Sequence, residues 1–205
     1  MGLERLTNLV LDMATLSEKS VATAIESYAS GKNFSEEIKN WSDDLGRMQD
    51  DVSDLSIELI ARYQPVATDL RFIRSCLEIS YGFWRFGRYA LDIAEVLDMF
   101  GNLSACDHSV VDITAKTTKE MMRMSIDAFA KRDVELARNV VKLDDFVDEK
   151  YRDFVSSTMK AKDVDLRCSM SATLILRYLE RIADHSAYIG DSVLYIVSGE
   201  RVHKK

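Results

Sequence analysis

Residues 168–196 read CSMSATLILRYLERIADHSAYIGDSVLYI. One row of small or apolar residues recurs in it at alternating spacings of four and three. The row consists of Cys168, Ala172, Ile175, Leu179, Ile182, Ser186, Ile189, Val193 and Ile196. A repeat of about 3.5 residues is typical of helices that pack at shallow angles in a bundle. The stretch therefore predicts one long helix with a buried seam.

A second seam of the same kind lies 96 residues earlier in the chain. It is formed by Ile79, Phe83, Phe86, Ala90, Ile93 and Leu97. At this offset, seven identities fall within 25 positions: Asp69/Asp165, Leu70/Leu166, Arg71/Arg167, Ser75/Ser171, Ile79/Ile175, Arg85/Arg181 and Ile93/Ile189. Unrelated stretches of average composition would share roughly one or two. The sequence therefore predicts an internal duplication.

Composition agrees with a helical protein, because eight glycines and one proline are too few for the turns of a strand-rich chain. Apolar periodicity and capping residues predict six long helices. The first is predicted over about 3–30, the second from a capping box at Asn33 and Glu36 to before Pro65, and the third over about Ala67–Phe100. The fourth is predicted over about His108–Ala130, the fifth begins at a cap at Asp133, and the sixth runs from a cap at Asp163 to Ser198. The predicted fold class is all-α: two tandem three-helix bundles, elongated, with repeats at 1–103 and 104–205.

Charge and targeting signals exclude several classes of protein. The formal net charge is −7, which disfavours nucleic-acid binding, and basic residues cluster only in the tail Arg201–Lys205. We expect no leader peptide and no membrane insertion, and hence a cytoplasmic protein, because no apolar stretch is long enough. The three widely spaced cysteines, Cys76, Cys106 and Cys168, are predicted to be reduced thiols.

Two acidic rows stand out on the last two helices. Glu180, Asp184 and Asp191 are separated by four and seven residues, and Asp144 and Asp148 by four, so each row shares a helix face. Carboxylates four apart repel by about 0.2–0.5 kcal/mol per pair unless a cation lies between them. Facing rows are therefore a candidate metal site. The alternative is a solvated face whose charges pair with Arg177, Arg181, Lys150 and Arg152.

Three stretches carry a resemblance to the PhoU family of phosphate-uptake regulators. They are Gln64–Arg71 (QPVATDLR), Tyr178–His185 (YLERIADH) followed by Ile189 and Asp191, and the acidic run around Leu143–Tyr151. The resemblance covers nearly the whole chain, including the duplication. It implies a cytosolic homodimer or higher oligomer that represses phosphate uptake and signalling through a membrane phosphate transporter and its sensor kinase.

The resemblance also implies metal clusters, one per repeat, held by Glu/Asp-x-x-x-Asp motifs. The second repeat keeps its set: Asp144, Asp148, Glu180, Asp184 and Asp191. In the first repeat, offsets of 96 and 102 put Trp84, Arg88, Ser42 and Gly46 at the corresponding positions. We therefore expect iron, zinc or manganese at the second repeat only. Asp50 and Asp54, also four apart, leave open a residual site in the first.

The alternatives to this regulatory adaptor are an enzyme, in particular a di-metal oxidase, and an adaptor for a different transporter. The chain has no phosphate-binding glycine loop or Rossmann fingerprint, and we predict that it is not an enzyme. A carboxylate-bridged di-metal oxidase needs two Glu-x-x-His motifs, and the sequence has only one, at Glu200 and His203. A helical adaptor for a different ion transporter or channel is the alternative that the sequence leaves open. His185 is expected to pack rather than bind metal. Ion pairs are expected to join helices through Asp69/Arg71 and Asp165/Arg167, with Arg85 and Arg181.

Overall fold

A computed structural model describes residues 2–199, and in this part of the chain every regular element is a helix. The helices are α1 (Gly2–Ser30), α2 (Ser35–Tyr63), α3 (Ala67–Phe100), α4 (Ser109–Lys131), α5 (Val134–Lys160) and α6 (Leu166–Ser198). The all-α prediction is therefore confirmed. The predicted basic tail Arg201–Lys205 lies outside the described residues.

The helices group into two bundles of three, with α1, α2 and α3 in one and α4, α5 and α6 in the other. The predicted seam residues of α3 and α6 are buried, apart from the half-buried Cys168. α3 packs on α1 and α2, α6 packs on α4 and α5, and α3 and α6 also pack on each other. One apolar core consequently runs through both repeats. At about 1.5 Å per residue, the 34 residues of α3 extend about 50 Å, which sets the length of the molecule.

α3 and α6 run antiparallel, and small residues at two positions of α3 let α6 pack closely there. A Cβ atom built at Gly82 would lie 3.1 Å from Cδ1 of Ile189, closer than side chains normally allow. Nearer the start of α3, the hydroxyl of Ser75 donates a hydrogen bond to the carbonyl oxygen of Ser192, 3.4 Å away. Glycine at position 82 thus lets the isoleucine of α6 pack directly against the backbone of α3.

Equivalent arginines lie at the two ends of this helix pair. Nε of Arg167, in the first turn of α6, donates to the carbonyl oxygen of Phe100 at 2.6 Å, and its Nη2 donates to that of Asn102. Arg71, in the first turn of α3, lies against Gly199 at the end of α6. Cations stabilise the carboxyl end of a helix, where carbonyl groups lack helical partners. The prediction that Arg167 ties helices through an ion pair is therefore wrong, because it binds backbone carbonyls.

Two predicted caps differ from those in the structure. The side chain of Asp165, not that of Asp163, caps α6 by accepting a hydrogen bond from the amide of Cys168 at 2.9 Å. The N-cap of α2 is Phe34, and no side chain caps it, so the capping box at Asn33 is wrong. The side-chain oxygen of Asn33 accepts a hydrogen bond from the amide of Ser35, the first residue of α2, at 2.8 Å. Its side-chain nitrogen donates to Asp98 of α3 at 2.7 Å, a long-range contact that local spacing does not reveal. The cap at Asp133 is confirmed.

The expectation of three reduced cysteines is also wrong. Cys106, in the connection between α3 and α4, forms a disulfide with Cys168, with Cα atoms 5.6 Å apart. The antiparallel packing brings the start of α6 beside the end of α3, and so brings these distant residues together. Cys76 is the remaining thiol and is buried in the core. Among the described residues, no helix is both long and apolar enough to cross a membrane.

We predict that the disulfide stabilises the fold substantially. It closes a segment of 62 residues, for which the chain-entropy relation gives about 4 kcal/mol. Reduction, or the substitution Cys106→Ser, is therefore expected to lower the melting temperature by several degrees. Thermal unfolding of wild type and Cys106→Ser, each with and without dithiothreitol, measures the effect, and Cys76→Ser is the control that keeps the bridge. Identical melting temperatures for wild type and Cys106→Ser, both with and without dithiothreitol, would contradict this account.

Candidate functional site

The acidic residues predicted on α5 and α6 lie along the contact between these two helices. Asp144 of α5 and Glu180 of α6 are the most buried, with relative exposures of 6% and 9%. Asp148 and Asp184 are partly exposed, and Asp191 follows two turns further along α6. Burying a carboxylate is unfavourable unless it is hydrogen-bonded or paired with a cation. The surroundings of this row therefore decide what it can do.

Arginines neutralise much of the row. Nη1 of Arg177 lies 2.5 Å from Oε1 of Glu180, and Nη1 of Arg181 lies 3.3 Å from Oδ2 of Asp184. On α5, Nη2 of Arg152 lies 2.8 Å from Oδ2 of Asp148. These are pairs three or four residues apart on one helix, the spacing at which side chains of a helix meet.

The carboxylates nevertheless influence one another across the contact. Burial raises the pKa of Glu180, and the negative charges of Asp184 and Asp148 raise it further, while the guanidinium groups of Arg177 and Arg181 oppose the shift. Asp148 belongs to α5 and Glu180 to α6, so the two predicted rows are close enough to interact. Burial raises the pKa of the Tyr188 hydroxyl, and the negative charges of Glu78 and Asp191 raise it further, so Asp191 interacts with a different group of α6.

The row fits a metal ion in its chemistry but not in its present arrangement. Carboxylates suit hard or borderline cations. However, residues 2–199 contain no group of three acidic, histidine or cysteine side chains placed to hold one. Arg177 and Arg181 would have to release Glu180 and Asp184 before a cation could bind there. Metal binding at Asp144, Asp148, Glu180, Asp184 and Asp191 therefore stays a prediction, and we assign no metal-dependent step.

The corresponding region of the first repeat is aromatic. Trp84 occupies the position of Glu180, and Gly46 that of Asp148. A Cβ atom built at Gly46 would lie 3.4 Å from Nε1 of Trp84, so the indole fills the space beside this glycine. The two residues paired by the offsets thus contact each other, just as Glu180 and Asp148 interact in the second repeat. This contact supports the register that predicted no carboxylate set in the first repeat.

His185 lies at the contact of α3 and α6, among aromatic rings. Its ring centroid is 5.9 Å from that of Tyr81 and 5.8 Å from that of Tyr89. Burial lowers the pKa of His185 to about 4, and the positive charges of Arg85 and Arg181 contribute to the shift. The imidazole is consequently neutral at physiological pH. The sequence suggested packing for His185 but could not identify the two tyrosines, since both belong to the other repeat.

Both repeats of the chain match one known protein family. The PhoU domain model matches the chain twice, at residues 10–97 and 111–193. The chain belongs to the PhoU family. The "phosphate-specific transport system accessory protein PhoU homolog" of Clostridium acetobutylicum is 30% identical to it, over 98% of this chain and 94% of that one. The family predicted from the sequence is confirmed.

Solved structures of the PhoU family share the fold. PhoU from Pseudomonas aeruginosa is 28% identical, with a TM-score of 0.87 over 97% of this chain and 98% of that one. The phosphate transport system regulatory protein PhoU from Streptococcus pneumoniae is 21% identical, with a TM-score of 0.88 over 98% of both chains. At that lower identity, the second likeness concerns the fold alone.

A first prediction concerns metal at the α5–α6 row. After incubation with iron, zinc or manganese salts and desalting, wild type is expected to retain metal, because a cation relieves the repulsion between the carboxylates. Asp144→Asn/Glu180→Gln is expected to lose it, while the matched pair Asp50→Asn/Asp54→Asn retains it. Elemental analysis by mass spectrometry measures the content. If wild type holds no metal after this treatment, the prediction is wrong, and the arginines are the cations that balance this row.

A second prediction concerns acid stability. An unfolded histidine takes up its proton near pH 6.5, whereas His185 in the folded protein does so near 4. Between these values the unfolded state binds more protons, so stability decreases as the pH falls. His185→Phe removes this contribution, and its free energy of unfolding should fall less steeply between pH 6.5 and 4.5. Urea unfolding across this range measures both proteins, and parallel pH profiles would contradict the burial of a neutral imidazole.

Proposed function

We propose that this chain is a cytoplasmic accessory regulator of a phosphate transport system. In this role it restrains phosphate uptake and phosphate-responsive signalling when phosphate is plentiful. It acts by binding other proteins: a membrane phosphate transporter and its sensor kinase. A homodimer or higher oligomer is the proposed working form.

The observation that carries the proposal is the extent of the family match. Both repeats match the PhoU domain, and the Clostridium acetobutylicum relative, whose name is that of a phosphate-specific transport accessory protein, matches along 94% of its length. A likeness of this extent includes both bundles and the connection between them. The whole helical framework is therefore available for the same role, although a fold by itself does not determine a function.

The geometry of the site supports an adaptor rather than a catalyst. Arginines hold Asp148, Glu180 and Asp184 in ion pairs, and His185 is packed between tyrosine rings with a pKa of about 4. A general base needs a pKa near the working pH and access to its substrate. The polar residues of this region are instead held by ion pairs and ring packing, which supports binding rather than catalysis.

The proposal predicts a phosphate phenotype. Deleting the gene in the organism that encodes the protein should increase phosphate uptake and raise expression of phosphate-starvation genes in phosphate-rich medium. A copy of the wild-type gene should restore both to normal. Uptake of radiolabelled phosphate and a starvation-promoter reporter measure the two effects.

The same strains test the alternative of an adaptor for another ion transporter or channel. Elemental profiles of the deletion strain would then change for a different ion, while phosphate uptake would stay at the wild-type level. That outcome would overturn the proposed phosphate role and keep the adaptor.

A further inference from the structure

The turn between α2 and α3 exposes an apolar surface that the fold does not use. Ile57 is 61% exposed, Tyr63 71% and Val66 76%, and Ile60 and Leu70 are also exposed. We call these five residues the first tip. Ile57, Ile60 and Tyr63 are spaced by three residues and share a face of α2, while Val66 and Leu70 lie on the turn and the start of α3. An exposed apolar patch of this kind typically marks a binding surface.

Acidic residues continue the first tip along α2. Asp50 and Asp54 precede Ile57 by seven and three residues, on the same helix face, and Asp51 adjoins them. All three aspartates are exposed, and no described residue forms an ion pair with them. Glu58, by contrast, is paired with Arg62 at 2.9 Å. The surface thus combines exposed apolar side chains with three exposed carboxylates that no described residue pairs.

The second repeat shows that this charge is particular to the first tip. Met159, at the position of Ile57, and Leu166, at that of Leu70, are likewise 81% and 69% exposed. At the positions of Asp50, Asp51 and Asp54 the second repeat has Arg152, Asp153 and Ser156, so the charges there cancel, and Lys160 stands at the position of Glu58. Packing of the shared bundle therefore does not require three carboxylates here, because the repeated fold forms with only one of them, Asp153.

We propose that the first tip, with Asp50, Asp51 and Asp54, is the docking surface for a basic, partly apolar cytosolic loop of the membrane transporter. The proposal rests on the proposed function and names the surface through which it operates. Cytosolic loops of membrane proteins carry an excess of lysine and arginine, which matches these carboxylates in charge. Anionic lipid would be repelled by the same carboxylates, so the membrane surface itself is not the occupant.

The test measures binding of the whole chain to the same organism's phosphate-specific transporter, purified and placed in nanodiscs of neutral lipid. Wild type should bind, more weakly as salt increases. Asp50→Asn/Asp51→Asn/Asp54→Asn and, separately, Ile57→Ser/Tyr63→Ser should each weaken binding about tenfold or more. The matched control is Asp145→Asn/Glu149→Gln/Asp153→Asn, three exposed carboxylates on α5, which should bind within about twofold of wild type. Circular dichroism and melting temperatures check that every variant folds.

The possible results distinguish a failure of the proposed docking surface from a failure of the proposed function. If wild type binds and both tip variants bind equally well, the first tip is not the docking surface, while the proposed function stands. If wild type does not bind the transporter at all, the proposed function fails together with the surface. Vesicles of phosphatidylglycerol without transporter are a further arm, in which no binding is expected. Vesicle binding that the tip variants lose would overturn the protein loop in favour of lipid.

Discussion

The antiparallel contact of α3 with α6 is the constraint on which the rest of the structure depends. It joins the last helix of each repeat, and Gly82 leaves room in it for the side chain of Ile189. At its two ends, Arg71 and Arg167 meet the carboxyl ends of the opposite helices. These equivalent contacts make the two bundles related halves around one continuous core. The same contact brings Cys106 beside Cys168 and encloses His185 among tyrosines of α3.

The two repeats use one framework for different chemistry. Where α5 and α6 present Asp148 and Glu180, α2 and α3 present Gly46 and Trp84. An indole beside a glycine fills the interior without the desolvation cost that a carboxylate incurs. The second repeat meets that cost with arginines, and the raised pKa of Glu180 shows that burial outweighs them. Duplication thus preserved the seams that pack the bundles, while the residues facing the outer helices diverged.

Sequence periodicity predicted the fold because the apolar seam of a helix is a local property. The spacing of Ile175, Leu179 and Ile182 predicted a buried helix face, and all three are buried. What the sequence did not predict depends on which helices are neighbours. The disulfide between Cys106 and Cys168 and the hydrogen bonds of Arg167 both follow from antiparallel packing of the repeats, which no spacing within one helix reveals. For the acidic row, the spacing correctly placed the carboxylates on shared helix faces. Which arginine pairs with which carboxylate depends on side-chain positions, which only the structure gives.

A double-mutant cycle at Gly82 and Ile189 tests the central contact most directly. Gly82→Leu should overpack the helix pair and cost about 1–3 kcal/mol, and Ile189→Ala should leave a cavity and cost about 2–5 kcal/mol. If the two residues pack against each other, the new leucine fills the space vacated by the isoleucine. The doubly substituted protein should then lose much less stability in urea unfolding than the sum of the single losses. Strictly additive losses would contradict the account, because they would mean that the two repeats are not joined at this point.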